Sequence, residues 1–236
     1  MATFAVRNGE NLVTRVLYLY GGWPGHFPYD VADWATGLME ELGFEVDAIN
    51  DPFRLEQDLT GYDLIVIGWT QALTTEDLSD RAEQRLLEAV AQGTGFAGWH
   101  GMTAAFRASL PYNFLCGAAF VEHPGGEGVK VPYDVTITDR DHEVTRGVED
   151  FRVASEQYYM LVDPAVHVLA TTEFTGEHLP WLAGVRMPVA YVKEWGDGRV
   201  FYVSVGHLPK DLQAPQVTRL VRQGLAWAAR NHRNEE

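Results

Sequence analysis

The sequence predicts an α/β sandwich of three layers around a mainly parallel sheet, and three observations lead to this fold class. Apolar β-rich runs alternate with helical periodicity through the first hundred residues. The run over 62–69 is continuously apolar, as expected of a strand that helices cover on both faces. The segment GFAGWHGMTAAF over 95–106 has the pattern of a buried strand, a tight glycine turn and a helix.

The elements of the first half follow in order along the chain. Strands are expected over 13–20, 44–49, 62–69 and 95–99. Helices are expected over 30–42, from 74 or 75 to about 92, and over 102–106. Gly43 stops the first helix, and Thr74 or Thr75 caps the second, whose first turn is acidic. This alternation predicts a parallel, doubly wound sheet.

The second half has a different pattern. Strands are expected over 130–138, 166–171, 189–193 and 199–205, and the segment WGDG over 195–198 is typical of a hairpin turn. An amphipathic helix over 215–229 closes the chain. Because no repeat or linker interrupts the pattern, we expect one domain over 1–236, with its core at about 13–231.

Composition limits the partners of this protein. The 236 residues carry a net charge of −15 and a pI near 4.9, which disfavours nucleic acid and anionic membranes. The single cysteine, Cys116, lies in an apolar run and cannot form an intrachain disulfide. No signal peptide or membrane-length apolar run is evident in the sequence. We therefore expect a cytoplasmic protein with a small-molecule substrate, as a monomer or a homo-oligomer.

The residue at the corner of the 95–106 segment is His100. Serine or cysteine at this corner would indicate acyl-transfer chemistry. Histidine instead points to proton transfer or to metal binding. The sequence contains neither GxSxG nor GxGxxG, so a nucleophilic serine elbow and a dinucleotide loop are not expected.

Further polar residues fall at or near the ends of predicted strands, where ligands of open α/β sheets bind. They are His26, His100, His123 and His207, joined by Glu156 in the segment SEQYY. Such a set suits the transfer of a proton or the binding of a divalent metal such as zinc by the four histidines. A lone loop histidine is usually a surface residue, however, and the sequence lacks the ligand spacings HxH and HExxH.

Aromatic residues are concentrated near the same positions. Trp23, Trp99 and Tyr158 are candidates for contact with the apolar face of a sugar ring. The alternative is that these side chains belong to the core, and for Trp69 the core is the preferred interpretation.

The ordered segments VLYLYGGWPGH, YDLIVIGW, GFAGWHG, AAFVEHPGG, EQYY and GDGRVFYVSVGH resemble the ThuA-like family, named for trehalose utilisation. The resemblance covers roughly residues 13–231 and implies a flavodoxin-like sandwich of the class I glutamine amidotransferase type. Because His100 replaces the cysteine of true amidotransferases, glutaminase activity is not expected. The resemblance also implies a role in sugar catabolism, especially of 3-keto-glycosides, with the four histidines and Glu156 lining the pocket. The family often has an acid where this chain has Ser155, so a role for two adjacent carboxylates is not supported.

Our first hypothesis is an enzyme that isomerises, epimerises or eliminates a keto-sugar by removing the proton next to the carbonyl. Glu156 is the preferred base and His100 the preferred acid or electrophile, and the reverse assignment stays open. The second hypothesis is a non-catalytic carbohydrate-binding or regulatory protein, and a third is a metal-dependent hydrolase. We further expect His100 to occupy a sharp turn with strained backbone angles.

Overall fold

A nine-stranded sheet forms the centre of the computed structural model, which describes residues 13–70 and 78–230 and the backbone of 6–7 and 10–11. The strands are β1 (Val6–Arg7), β2 (Glu10–Asn11), β3 (Arg15–Gly22), β4 (Glu45–Ile49), β5 (Leu64–Thr70), β6 (Gly95–Trp99), β7 (Ala118–Glu122), β8 (Val131–Ile137), β9 (Phe151–Ser155), β10 (Tyr159–Val162), β11 (His167–Glu173), β12 (Arg186–Trp195) and β13 (Gly198–Val203). The order in the large sheet is β4-β3-β5-β6-β13-β12-β11-β8-β9.

The sheet has a parallel part and an antiparallel extension. Strands β4, β3, β5, β6 and β13 run parallel to one another. Strands β12, β11, β8 and β9 extend this part in antiparallel fashion. Two small sheets lie apart, one formed by β1 and β2 and the other by β7 and β10. The predicted α/β class is confirmed, and four of the five strands of the parallel part, β3 to β6, come from the first half of the sequence, whereas β13 comes from the second.

Helices cover the parallel part on both faces. They are α1 (Pro28–Glu41), α2 (Asp80–Ala91), α3 (Leu110–Cys116), α4 (Pro209–Leu212) and α5 (Pro215–Ala228). Helices α1 and α5 pack on one face of the sheet, and α2 and α3 pack on the other. Successive residues of β3 point to opposite faces of the sheet. Tyr18 lies in the core under α1 and α5, and Leu19 lies in the core under α2 and α3. The three predicted layers are therefore present. Among the helices that the structure describes, none has the length and apolar character that a membrane span needs.

Two helices differ from their predicted bounds. The expected cap at Thr74 or Thr75 lies outside the described residues, and the described part of this helix begins after Ser79, whose side chain accepts a hydrogen bond from the Ala82 amide. The helix expected over 102–106 is wrong in type and extent, because residues His100–Ala104 form a short 3₁₀ helix. The helix ends at Ala104 because Ala105 has an extended backbone, with φ −78° and ψ 148°, and Phe106 follows with a left-handed φ of 45°.

The buried ion pair between Lys193 and Asp163 ties β12 to its neighbours. The two charged groups lie 2.7 Å apart, and Lys193 also donates a hydrogen bond to the carbonyl of Phe114 in α3. The hydrogen bond from Lys193 and another from the Ala165 amide lower the pKa of Asp163. The pair therefore stabilises the fold above the ordinary pKa of aspartate, about 4, and this contribution is lost as the pH falls through the lowered value.

We predict that Lys193→Met lowers the free energy of unfolding by about 2–4 kcal/mol at pH 7, because Asp163 keeps its charge and loses its partner. Urea denaturation monitored by circular dichroism measures the loss. The difference from wild type narrows below about pH 4, where Asp163 of the variant becomes protonated. Adding Asp163→Leu to the variant recovers part of the stability. A single variant as stable as wild type at pH 7 would contradict this interpretation of the pair.

Candidate active site

His26 is positioned by the loop that follows β3. The chain leaves the strand through Gly22 and forms a 3₁₀ helix over Pro24–His26, and the Trp23 amide donates to the Thr70 carbonyl at 2.8 Å. The imidazole Nδ1 of His26 lies 3.1 Å from the hydroxyl of Thr70, at the end of β5. This hydrogen bond holds the ring over the carboxyl end of the parallel strands, where the sequence predicts the site.

His100 lies at the corner directly after β6. Its φ of 39° is in the left-handed region, which costs a non-glycine residue of this kind about 1–2 kcal/mol. A hydrogen bond from β13 stabilises this corner, because the hydroxyl of Tyr202 donates to the His100 carbonyl at 2.9 Å. The imidazole Nδ1 is 2.9 Å from the Ser204 carbonyl, which can only accept. Nδ1 therefore carries the proton, and Nε2 presents a lone pair to the site in the neutral ring.

Glu156 follows β9 and is nearly fully buried, with 1% of its side chain exposed. Ser155, the last residue of β9, donates to the carboxylate of Asp211 at 2.7 Å and anchors this end of the strand. One carboxylate oxygen of Glu156, Oε1, accepts a hydrogen bond from the Gly128 amide at 2.5 Å. The other oxygen, Oε2, points into the histidine cluster.

His207 completes the cluster from the loop beyond β13. The sequence suggests that this histidine ends the strand, whereas β13 ends at Val203 and the turn through Gly206 brings the ring to the site. The side chain is buried, and its Nδ1 lies 3.1 Å from Glu156 Oε2. Asp211 accepts a hydrogen bond from the Leu208 amide and so fixes the chain just after this residue.

The carboxylate oxygen Oε2 of Glu156 is the centre on which the imidazoles converge. It lies 3.2 Å from His100 Nε2, 3.1 Å from His207 Nδ1 and 3.8 Å from His123 Nε2. The ring centroids of His26 and His100 are 4.8 Å apart, and those of His26 and His207 are 5.0 Å apart. The structure thus brings together all four histidines and the glutamate that the sequence selects.

Burial and charge decide the protonation states of the cluster. Burial is the largest cause that lowers the pKa of His26, to about 2, and the neighbouring imidazoles lower it further. Burial also lowers the pKa of His100, against the opposing effect of Glu156. For Glu156 itself burial raises the pKa, but the contacts with His100 and His207 outweigh it, so the net shift is downward. At neutral pH the site therefore holds the carboxylate of Glu156 beside the neutral imidazoles of His26 and His100.

A carboxylate facing the lone pair of a neutral imidazole is unfavourable unless a proton or a cation lies between them. Glu156 Oε2 and His207 Nδ1 are both buried, and neither makes an aligned hydrogen bond within the described residues despite their separation of 3.1 Å. One ligand atom from each of His26, His100, Glu156 and His207 lies within 4.8 Å of the others. Three imidazole nitrogens and one carboxylate oxygen are a donor set that zinc and related divalent cations accept.

Metal ligation predicted for His123 is not matched by this geometry. His123 lies outside the group of four, and Glu156 takes the fourth place. The ring of His123 stays close to the cluster, with 19% of its side chain exposed, and Nδ1 lies 3.6 Å from the carboxylate of Glu122. His123 is therefore placed at the rim, where a substrate could reach it.

The three aromatic residues predicted to contact substrate have different surroundings. Trp23 is half-buried and packs edge-on against His26, with centroids 4.9 Å apart. Tyr158 is buried, and its hydroxyl lies 2.9 Å from His100 Nε2, to which it donates; burial raises its pKa well above 10, so it stays protonated. Trp99 packs mainly in the core, against Tyr18. A cavity of about 20 Å³ lined in part by His26 and His100 has room for one ion or water.

Several residues that shape the site carry no sequence signal that identifies them. Thr70 orients His26, the Ser204 carbonyl fixes the tautomer of His100, and the Gly128 amide binds Glu156. Backbone groups act in two of these three contacts, and residue type does not reveal them. Only the glycine-rich loop over 125–128 marks a place where the chain approaches another segment closely.

Comparison with known proteins assigns the chain to a family. The sequence model of the ThuA family, described as trehalose utilisation, matches residues 15–228. Since this match spans most of the 236 residues, the protein belongs to the ThuA family. No curated protein sequence matches the chain.

Solved structures show the same fold at low sequence identity. A ThuA-like protein from Parabacteroides merdae is 19% identical, and the alignment covers 92% of this chain and 90% of that chain with a TM-score of 0.75. A ThuA-like protein from Bacteroides uniformis is also 19% identical, with coverages of 91% and 90% and a TM-score of 0.68. A cytoplasmic protein from Salmonella typhimurium is 13% identical, with coverages of 93% and 100% and a TM-score of 0.62.

We predict that Gly101→Ala disturbs the site and destabilises the protein by about 1–3 kcal/mol, because overpacking forces neighbours to move. A Cβ atom at Gly101 would lie 1.5 Å from the Thr70 hydroxyl and 3.3 Å from His26 Nδ1. Urea denaturation measures the stability, and modification by diethyl pyrocarbonate reports the exposure of His26, which should rise.

The matched control is Gly37→Ala in α1. A Cβ there has no neighbour within 4 Å, so the substitution should stabilise the helix by about 0.5–1 kcal/mol and leave His26 modification unchanged. Equal stability and equal His26 reactivity in Gly101→Ala and wild type would show that the packing at this corner is not as tight as described.

Proposed function

We propose that this protein is an enzyme that moves a proton next to the carbonyl of a keto-sugar or keto-glycoside, at a site that also binds a divalent cation. The proposal depends on one observation above all. The buried carboxylate oxygen of Glu156 faces the nitrogens of His100 and His207 at 3.1–3.2 Å, yet it makes no aligned hydrogen bond with either ring. A cation relieves this arrangement.

The four residues with the best geometry for ligation are His26, His100, Glu156 and His207. When bound there, a divalent cation would supply Lewis acidity that polarises a sugar carbonyl and makes the adjacent C–H more acidic. The protein prepares the ligands in advance, because the Ser204 carbonyl and the Thr70 hydroxyl hold two of the imidazole rings in place.

The residues at the rim of the cluster are the best candidates for the general base. The earlier assignment of Glu156 as the base stays a prediction, but its lowered pKa and its burial favour a role as an anionic ligand. His123 is more exposed, and carboxylates of Glu122 and Glu156 lie 3.6 Å and 3.8 Å from its two ring nitrogens. These carboxylates would stabilise the imidazolium that forms when His123 accepts a proton.

The proposed reaction begins when His123 takes the proton from the carbon next to the carbonyl. The electron pair of the C–H bond moves to the carbonyl oxygen and gives an enolate. Tyr158 stays protonated and would be free to donate a hydrogen bond to a substrate oxygen once His100 Nε2, its acceptor at 2.9 Å, binds the cation. Protonation of the same carbon by water on the other face gives an epimer, and His123 then releases its proton to solvent. Protonation of the former carbonyl carbon by His123, with transfer of the α-hydroxyl proton to the former carbonyl oxygen, gives an isomer. Loss of a β-substituent that takes the proton from His123 gives an eliminated glycoside.

The family supports a carbohydrate-related role, and the finer assignment is ours. ThuA is described as trehalose utilisation, which agrees with a sugar substrate. Trp23 beside the histidines offers an aromatic surface for the ring of such a substrate. We also propose that the protein works in the cytoplasm, in line with the Salmonella neighbour that is named a cytoplasmic protein. The same donor set would serve a metal-dependent hydrolase, which is the second candidate.

We predict that the purified protein binds one Zn²⁺, Mn²⁺ or Co²⁺ ion per chain and that Glu156→Gln weakens this affinity by more than about 100-fold, because the anionic ligand is lost. Isothermal titration calorimetry of the chelator-treated protein measures both affinities. The matched control is His123→Gln, which leaves the four proposed ligands intact and should bind the metal nearly as well as wild type. Unchanged affinity in Glu156→Gln would remove Glu156 from the metal site.

We predict that the metal-loaded enzyme exchanges the α-proton of a methyl 3-keto-glucoside with solvent deuterium, and that His123→Gln slows this exchange by about 10²–10⁴-fold, because the base is lost. Proton NMR in D₂O follows the exchange. His100→Asn, which tolerates the left-handed backbone of the corner, should also slow exchange and weaken metal binding.

The outcomes of this experiment separate the hypotheses. Loss of exchange in Glu156→Gln at full metal occupancy, with His123→Gln unaffected, would return the role of base to Glu156. Binding of the keto-sugar without any exchange by the wild type would favour a carbohydrate-binding protein. Hydrolysis of the methyl 3-keto-glucoside to the keto-sugar and methanol, with no deuterium bound to carbon in either one, would favour the hydrolase.

A further inference from the structure

A second cavity, of about 370 Å³, lies beside the segments that carry His123 and Glu156. The next residues along the chain, Pro124 and Gln157, line this cavity. The volume falls within the range of about 300–1,000 Å³ that small-molecule sites occupy. The cavity next to His100, by contrast, has about 20 Å³. The larger space takes no part in the proton transfer proposed above.

We propose that this second cavity is a binding site for a neutral saccharide. Its walls come from strands β8, β9 and β11 and from the loop that follows β11. Polar groups able to bind hydroxyls and apolar groups able to pack on a ring occur together in this lining. The inference rests on the proposed function in one respect only, the choice of a sugar as the class of ligand.

The charges in the lining favour a neutral ligand over an anionic one. Among the described residues of the lining, the one arginine is Arg152, and its Nη1 lies 3.2 Å from each carboxylate oxygen of Asp134. Glu173 is similarly paired with Arg186, at 3.1 Å. Glu177 adds a further negative charge, so a sugar phosphate or sugar acid would meet net repulsion. Carboxylates of this kind are instead good acceptors for neutral hydroxyl groups.

Part of the lining of the cavity is apolar. Phe174, Leu179 and Leu182 contribute to it, and Leu182 ends a 3₁₀ helix over Pro180–Leu182. Trp181 in this helix is 75% exposed, which is unusual for so large an apolar side chain. The apolar side chains of Phe174, Leu179 and Leu182 occur in this lining together with carboxylate acceptors, and this combination matches a sugar ring, which has an apolar face and polar edges.

The cavity is also connected to the His/Glu cluster through one loop. Pro124 and Val131 line the cavity, and Gly128 between them donates its amide hydrogen to Glu156. A saccharide that packs against both ends of this loop would hold the Gly128 amide in place. The site would therefore favour substrates that offer a second sugar ring.

The test uses the full chain and trehalose, a neutral disaccharide, in saturation-transfer NMR. Thr136 is exposed and lines the cavity, so Thr136→Phe fills the space with a residue that strands accommodate well. Thr138→Phe is the matched control, since Thr138 is an exposed residue just beyond the end of β8 and outside the lining. A second variant, Glu177→Ala, removes one acceptor at the rim. Thermal unfolding confirms that each variant is folded.

We expect saturation transfer to trehalose in wild type and Thr138→Phe, a loss of at least about tenfold in affinity in Thr136→Phe, and a smaller loss in Glu177→Ala. Glucose 6-phosphate should bind more weakly than trehalose. Equal trehalose binding in Thr136→Phe and wild type, absence of binding in wild type, or preference for the phosphate would overturn the proposal. Because trehalose has no keto group, failure of proton exchange or of metal binding at the cluster leaves this test unaffected.

Discussion

The carboxylate of Glu156 is almost fully withdrawn from water, and the need to compensate its charge explains most of the site. An isolated buried carboxylate costs several kcal/mol after relaxation of the protein. One of its oxygens is satisfied by the Gly128 amide, whereas the other faces the buried rings of His207 and of His100, whose pKa burial lowers. A site of this kind is poorly satisfied without an added positive charge, and such incomplete satisfaction is common at functional centres.

The fold supplies the rigidity that such a site requires. His26, His100 and His207 come from loops after parallel strands of the large sheet, whereas His123 follows β7 of a small separate sheet and Glu156 follows β9 of the antiparallel extension. The two parts meet across the cluster, and contacts such as Ser155 with Asp211 fix their junction. The left-handed backbone of His100 shows that the protein accepts local strain at this corner.

Most of the fold could be predicted from the sequence because its signals are local. The apolar run of β5 and the helical spacing of α1 are evident within a few residues. The same local evidence missed α3, β7, β9 and β10, which are short and lie where the chain changes direction. The pattern of small residues after His100 predicted a helix over 102–106, but the chain forms a 3₁₀ helix two residues earlier, which ends where Ala105 becomes extended.

The candidate site residues could be predicted only in part, because contacts between residues far apart in the sequence leave no local signal. The rule that ligands bind at strand ends predicted that the four histidines share one site, and their rings lie together in the structure. It could not show that Glu156, rather than His123, lies in the group of four. Nor could it show that Trp99 packs mainly against core residues, since the surroundings of a strand residue depend on the whole sheet.

The most direct test of the central claim is an anomalous diffraction experiment on crystals soaked with Zn²⁺ and measured at the zinc edge. We expect one dominant anomalous peak within bonding distance, about 2.0–2.2 Å, of a nitrogen from each of His26, His100 and His207 and of a carboxylate oxygen of Glu156. A dominant peak elsewhere, or a cluster whose imidazoles hold no ion at saturating zinc, would contradict the claim that this buried carboxylate is compensated by a metal.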